Sequence, residues 1–162
     1  MHSVSNPATY AAMNSQDAVL ESFVDFEKEV SVVCARGQDG SFVHYGVIEN
    51  SHSNHILDVS FAPAAVAHPV HEEAILIARS IAEAFGYIGT MCVEFFLTGD
   101  GNLLVNEIAP RVHNSGHWTI EGAETSQFEN HVRAIAGLPL GATAARGHAA
   151  MLNLIGRMPR AR

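Results

Sequence analysis

Residues 106–117 read Asn106-Glu107-Ile108-Ala109-Pro110-Arg111-Val112-His113-Asn114-Ser115-Gly116-His117. They put a carboxylate, a guanidinium, two imidazoles, two amides and a hydroxyl into one short stretch. The apolar run Leu103-Leu104-Val105 leads straight into it. A strand that delivers such a cluster to its own end is how a rigid scaffold presents a site. Loops that only turn the chain use Gly, Pro, Asp and Ser, not Arg and paired His.

A second carboxylate, Glu94, lies inside the apolar run Cys92-Val93-Glu94-Phe95-Phe96. A charged side chain buried without a partner is costly, and Glu94 and Glu107 each occupy a strand that is otherwise apolar. The two strands are expected to be hairpin partners, so the carboxylates can lie close together on one face. Close carboxylates repel unless a proton or cation sits between them. Mg²⁺ would resolve the conflict, with Asn114 as a further oxygen ligand. The plainer reading is that one carboxylate faces solvent or pairs with Arg111. The Arg111 fork suits a carboxylate, bicarbonate or phosphate. His113 and His117 are four apart and His52 and His55 three apart, yet no Cys or third clustered ligand completes a zinc set. His52 and His55 read as a solvated loop. Glu21 and Glu29 say little by themselves, because carboxylates are normally at the surface.

The elements that must position these groups follow from period and punctuation. Residues 19–24, 29–36, 42–49 and 56–61 read as strands, with a hairpin turn at 38–41 and a polar connection at 50–54. Residues 71–85 show helical spacing and end at Gly86. Residues 90–97 and 102–108 form a hairpin about Gly99-Asp100-Gly101. Residues 126–136 form a second helix capped by Gly137. Residues 142–147 look like a linker, and 150–155 open another strand. The total is an α+β arrangement of six or seven strands, mostly hairpin-connected, with two main helices.

Bulk properties narrow the function. The 162 residues allow one compact domain, and 48% apolar with 16% charged residues argues against overall disorder. A formal charge of −8 argues against a broad nucleic-acid surface. No apolar run reaches membrane-spanning length, and residues 1–16 lack the basic start and apolar core of a secretion signal. Cys34 and Cys92 sit in apolar runs without metal-type spacing, as buried thiols of a reducing, cytoplasmic compartment do. Lys28 is the single lysine of the chain, so several lysines around phosphates cannot come from this polypeptide alone.

Residues 106–119 resemble the signature of 5-(carboxyamino)imidazole ribonucleotide synthase, the ATP-grasp carboxylase of purine biosynthesis. Three more stretches agree: Glu21-Ser22-Phe23-Val24-Asp25-Phe26-Glu27-Lys28-Glu29-Val30-Ser31, Thr125-Ser126-Gln127-Phe128-Glu129-Asn130-His131 and Gly137-Leu138-Pro139-Leu140-Gly141. The likeness runs from about residue 19 to 156. It implies the large subdomain of an ATP-grasp fold, mostly antiparallel sheet. It implies ATP and Mg²⁺ as cofactors, bicarbonate and 5-aminoimidazole ribonucleotide as substrates, and a homodimer. Carried over by residue, Glu21 and Val24 lie at the adenine end of the ATP cleft and Glu29 accepts from the ribose hydroxyls. Glu94 and Glu107 hold Mg²⁺ against the phosphates. Arg111, His113 and Asn114 lie where bicarbonate and carboxyphosphate would sit, with Ser115 nearby. ATP would phosphorylate bicarbonate, and the carboxyl group would pass to the amine of the ribonucleotide.

Some family features are missing from the match. The lysine-bearing subdomain, the glycine-rich loop and the basic residues for the substrate phosphate are not found. The expected division is therefore an unmatched lead-in over 1–18, the C-terminal ATP-grasp subdomain over 19–148, and the start of a truncated C-terminal domain over 149–162. On this reading the chain is a fragment, inactive by itself. The competing readings are a non-catalytic nucleotide-binding remnant, and another ATP-grasp ligase of the same pathway such as the formate-dependent transformylase. The Pro-Arg-Val-His-Asn-Ser-Gly-His stretch at 110–117 favours the carboxylase.

Overall fold

The structure is a computed structural model that describes residues 21–156. Six strands are formed among these residues: β1 (Lys28–Arg36), β2 (Phe42–Ser53), β3 (Ile56–Ala62), β4 (Gly89–Leu97), β5 (Leu103–Ala109) and β6 (Ala149–Leu152). They make one sheet in the order β5-β4-β1-β2-β3-β6, and every pairing is antiparallel. Helix α1 (His68–Ala84) links β3 to β4. A 3₁₀ turn (Asn114–Gly116), a single-turn helix α2 (Thr119–Gly122) and helix α3 (Gln127–Ile135) follow β5. No helix of the described residues is long and apolar enough to cross a membrane.

The two faces of the sheet are built differently. Val30, Val32 and Cys34 of β1, with Met91, Val93 and Phe95 of β4, point to α1. This helix meets them through Ala74, Ala78 and Ala82, all fully buried. Methyl side chains four apart on one helix face let the axis come close to the β-branched surface. The alternate residues point to the other face, where Val33, Tyr45, Ile48, Cys92 and Ala109 meet Trp118 and Ala123 of the segment after β5. Glu29, Ser31, Glu94 and Glu107 continue these same rows by period-two alternation. The second face is thus apolar at one end and polar at the other.

Of three irregularities in the ladders, one lies between β2 and β3 at Ser51/His52 and the other two set this register. Between Val32 and Cys34 the partner positions on β2 advance from Val47 to His44, so β2 carries one extra residue, and Gly46 lies there with φ +74°. A left-handed residue in a bulge needs glycine. Between Glu94 and Phe95 the partners on β5 pass from Glu107 to Val105, leaving Asn106 as the extra residue of a second bulge.

Several expected boundaries move. The strand expected over 19–24 is not formed at residues 21–24; positions 19 and 20, like the lead-in 1–18, lie outside the described residues. The first ladder-like bond there is Glu27 N–H to the Leu97 carbonyl at 2.7 Å. The polar connection expected at 50–54 is strand instead. β2 runs to Ser53, and the turn is the Asn54-His55 pair, with φ 51° and 64°, the geometry of a two-residue hairpin loop. Polar content misled the reading because those side chains serve the polar end of the second face. Helix α1 starts three residues early because Pro69 is accommodated in its first turn. Gly86 and Gly137, at φ +55° and +68°, end the two main helices as expected.

The linker expected at 142–147 is tied down. Glu124 N–H donates to the Ala144 carbonyl at 3.0 Å, Arg146 N–H to that of Gly122 at 2.8 Å, and the Thr143 hydroxyl to that of His44 at 2.7 Å. The boundary placed at 149 does not separate β6 from the sheet, since Val59↔Leu152 through Ala62↔Ala149 pair it with β3.

Cys34 and Cys92 are fully buried. Burial pushes the Cys34 thiol up to about 12, and burial followed by the Glu94 charge pushes Cys92 upward. An aromatic disulfide reagent near neutral pH is expected to react with neither thiol of the folded chain and with both after unfolding in guanidinium. Fast reaction of either native thiol would contradict this packing.

Candidate active site

Glu94 and Glu107 are direct cross-strand partners, as their spacing predicted. Residues so paired have Cβ atoms about 5 Å apart. Ser31 of β1 lies opposite Glu94 on the other side, so three strands contribute to one row. The Glu94 carboxyl is pushed up from its ordinary range, first by burial and then by the Glu107 charge, with Glu29 adding and His52 and Arg111 opposing. Glu107 is exposed. One carboxylate thus lies at the rim of the core while its partner faces solvent.

His113 turns inward onto this pair. Its Nε2 lies 3.2 Å from Glu94 Oε1, and the two side chains are 11% and 16% exposed. Its Nδ1 lies 3.0 Å from the Ser115 hydroxyl. Burial, then the charges of Arg111, His117 and His52, hold the ring down at about 4, so it is neutral at physiological pH. The loop around it is pinned by one side chain. Gln127, fully buried, accepts from the His113 backbone N–H at 3.0 Å and donates to the His113 carbonyl at 2.7 Å. Gln127 is anchored in turn, its N–H donating to the Thr119 hydroxyl at 3.0 Å and its carbonyl accepting from that of Thr90 at 2.9 Å. The Gln127 amide therefore fixes the His113 main chain as a neighbouring strand would. Gly116 makes room, because a Cβ there would lie 2.7 Å from Gln127 Oε1.

The remaining sites proposed from the sequence distribute as follows. Arg111 and Asn114 are exposed beside His113, and Arg111 Nη1 donates to the Val112 carbonyl at 3.0 Å. Glu29 lies two residues before Ser31 on the same face, and its Oε2 is 2.7 Å from His52 Nδ1. His52 is therefore a strand residue paired to Glu29 and not a solvated loop residue. Glu21 and Val24 precede β1 in a stretch without regular structure. Further along that stretch Phe26 stacks on Phe96 at 4.5 Å. His117 leaves His113 and meets the Phe128 ring at 5.5 Å, so those two imidazoles do not share a ligand.

Sequence reading missed Ser31, Asn50, Ser60 and Gln127. Asn50 Nδ2 donates to Ser31 Oγ at 2.8 Å, and the Ser60 hydroxyl donates to Asn50 Oδ1 at 2.8 Å. Ser31 Oγ donates onward to Ser115 Oγ at 2.9 Å. Small polar residues inside apolar strands were the available signal, as they had been for Glu94.

The donor set fits a hard divalent cation. It offers two carboxylates on one face, one destabilised by burial and by its neighbour, although no group of three or more His, Cys, Asp or Glu is placed to hold a metal among the described residues. Mg²⁺ is commonly held by one or two carboxylates, with water and substrate phosphates completing six oxygens.

The ATP-grasp domain family model matches residues 2–128, and so takes in part of the segment left unmatched by the sequence reading. The N5-carboxyaminoimidazole ribonucleotide synthase of Pseudomonas aeruginosa is 50% identical over 150 residues, covering 93% of this chain and 41% of the relative. The crystal structure of the synthetase from Thermus thermophilus superimposes with a TM-score of 0.82 at 53% identity, over 85% of this chain and 38% of that one. The Aspergillus clavatus enzyme, solved with ADP and 5-aminoimidazole ribonucleotide, gives 0.79 at 36% identity, over 83% and 37%. This chain thus spans about two fifths of the length of the relatives it matches.

Gly116→Ala is expected to lower stability by about 1–3 kcal/mol, since the added methyl meets a glutamine held at both ends. Gly99→Ala, where a Cβ would meet nothing within 4 Å, should change it by less than about 0.5 kcal/mol. Urea midpoints compare the two, and equal midpoints would contradict the clamp.

Proposed function

The chain belongs to the ATP-grasp domain family, and on that premise we propose that it carries the metal- and phosphate-facing part of a carboxylating ligase. The proposed reaction uses ATP and bicarbonate to form carboxyphosphate. The carboxyl group then passes to the amine of 5-aminoimidazole ribonucleotide, giving N5-carboxyaminoimidazole ribonucleotide on the route to purines. The observation that carries this reading is the cross-strand pair Glu94–Glu107 with His113 Nε2 3.2 Å from Glu94. The names of the relatives, and the ribonucleotide described in the Aspergillus clavatus structure, support the substrate.

Glu94 and Glu107 would hold Mg²⁺, which when bound supplies charge compensation to the ATP phosphates. Glu29 accepts hydrogen bonds from the ribose hydroxyls, and His52 at 2.7 Å orients its carboxylate. Glu21 and Val24 border the adenine. Arg111 provides the planar fork for bicarbonate or carboxyphosphate. His113 stands beside it as a neutral imidazole, and Asn114 offers an uncharged amide. These residues position and stabilise charge rather than form covalent bonds, which is what phosphoryl transfer asks of a protein. A cytoplasmic homodimer goes with this reading.

Calorimetric titration with ATP tests it. Binding is expected with Mg²⁺ present and to be lost with a chelator. Glu107→Gln, an exposed and nearly isosteric change, should weaken it at least about tenfold, about 1.4 kcal/mol. Equal affinity in wild type and variant, or no dependence on Mg²⁺, would remove the metal role of the pair. Tight nucleotide binding without any ATP turnover dependent on the ribonucleotide and bicarbonate would favour the non-catalytic nucleotide-binding reading.

A further inference from the structure

We propose that Ser60, Asn50 and Ser31 are positioning residues that act through Ser115. Together they form a one-way hydrogen-bond chain that fixes His113 as the tautomer with its hydrogen on Nε2, aimed at Glu94. The chain crosses three strands and enters the loop after β5. It runs from Ser60 Oγ to Asn50 Oδ1 at 2.8 Å, from Asn50 Nδ2 to Ser31 Oγ at 2.8 Å, and from Ser31 Oγ to Ser115 Oγ at 2.9 Å. From Ser115 Oγ it reaches His113 Nδ1 at 3.0 Å. All four supporting side chains are buried, with exposures of 1% for Ser60, 7% for Asn50 and 0% for Ser31 and Ser115, so water does not offer them other partners.

Direction follows from the chemistry of the amide. An amide nitrogen only donates and its oxygen only accepts, whereas a hydroxyl has one hydrogen to give. Ser31 receives from Asn50 and gives its hydrogen to Ser115. Ser115 has the Cys92 thiol 3.8 Å away as a second neighbour; sulfur is a weak acceptor and the thiol can itself donate, so the Ser115 hydrogen goes to the stronger acceptor, His113 Nδ1. A second donor leads to the same nitrogen: the Ser115 backbone N–H, 3.4 Å away, can never accept. Nδ1 must present a lone pair to both. The ring hydrogen therefore sits on Nε2, where Glu94 Oε1 accepts it at 3.2 Å. Turning the Asn50 amide over would reverse the whole chain and put the hydrogen on Nδ1. That makes Asn50, two strands away from Glu94 in the sheet, the residue that sets which ring nitrogen faces the carboxylate.

The catalytic use of this orientation rests on the function proposed above; the tautomer does not. Nitrogen NMR of the chain labelled at histidine, without nucleotide or metal, reads it directly, with His113→Gln identifying the signals. Wild type is expected to show Nδ1 at an unprotonated and Nε2 at a protonated shift. Asn50→Asp keeps the shape but only accepts, so Ser31 donates to it, Ser115 to Ser31, and His113 Nδ1–H to Ser115. Nδ1 is then expected to move to a protonated shift. Ser31→Ala, which removes one oxygen, should move it part of the way and serves if Asn50→Asp does not fold. A protonated Nδ1 in wild type, or an Nδ1 shift unchanged in a folded variant, overturns the proposal whatever the ATP titration gives. A merely structural role for Asn50 predicts the unchanged shift.

Discussion

Two carboxylates opposed across β4 and β5, one of them at the edge of a buried face, are the constraint to which the rest of the site answers. At a separation of about 5 Å and an effective dielectric constant of about 20, two such charges repel by about 3 kcal/mol, less where solvent screens the exposed Glu107. An arrangement of that kind persists only if the surrounding structure supports it. Here the support is the His113 Nε2 atom 3.2 Å from Glu94 and the Arg111 charge near it; the divalent cation proposed above would add to both. The Glu94 carboxyl is raised by its burial first and by the Glu107 charge second, and perturbed carboxyls are where function concentrates.

The sheet can carry this conflict because its two faces divide the work. The α1 face is apolar across its centre, with the Lys28–Glu49 ion pair at one end, and its alanine stripe brings the helix close to the valines of β1 and β4. Its partner face is apolar only where Trp118 and Ala123 cover it. Polar residues take over beyond that point, without interrupting a strand. The bulges at Gly46 and Asn106 shift the register locally, so that side chains of β2 and β5 reach this face at the required positions.

The segment after β5 converts a strand end into a site. Gln127 binds both main-chain groups of His113, and Gly116 leaves the space it needs. The His113 main chain is thereby hydrogen-bonded on both sides as a strand residue's would be.

Much of this was legible in the residues. Alternation and turn chemistry placed all six strands near their positions, with a seventh, expected over 19–24, not formed at residues 21–24, and helical spacing placed both main helices. Glu94 and Glu107 were expected to meet because a hairpin is a local object, whose register follows from its own turn and its own period. Polar runs were the weak point: residues 50–54 read as a connection, and His52 as solvated, because composition cannot tell a polar strand serving a site from a loop. Small polar residues inside apolar strands marked some of the members, but which partners they would take, in the His52–Glu29 pair, the Gln127 clamp and the Ser60–Asn50–Ser31–Ser115 chain, had no local signature. Their members are far apart in sequence and become neighbours only through the strand order β4-β1-β2-β3 and the fold-back of the segment after β5. The sequence by itself determined that the acid pair would share a face, since hairpin geometry is short-range. Tertiary structure alone decided which buried hydroxyls and amides would hold His113 in place, because hydrogen-bond partners are chosen by distance and direction in space.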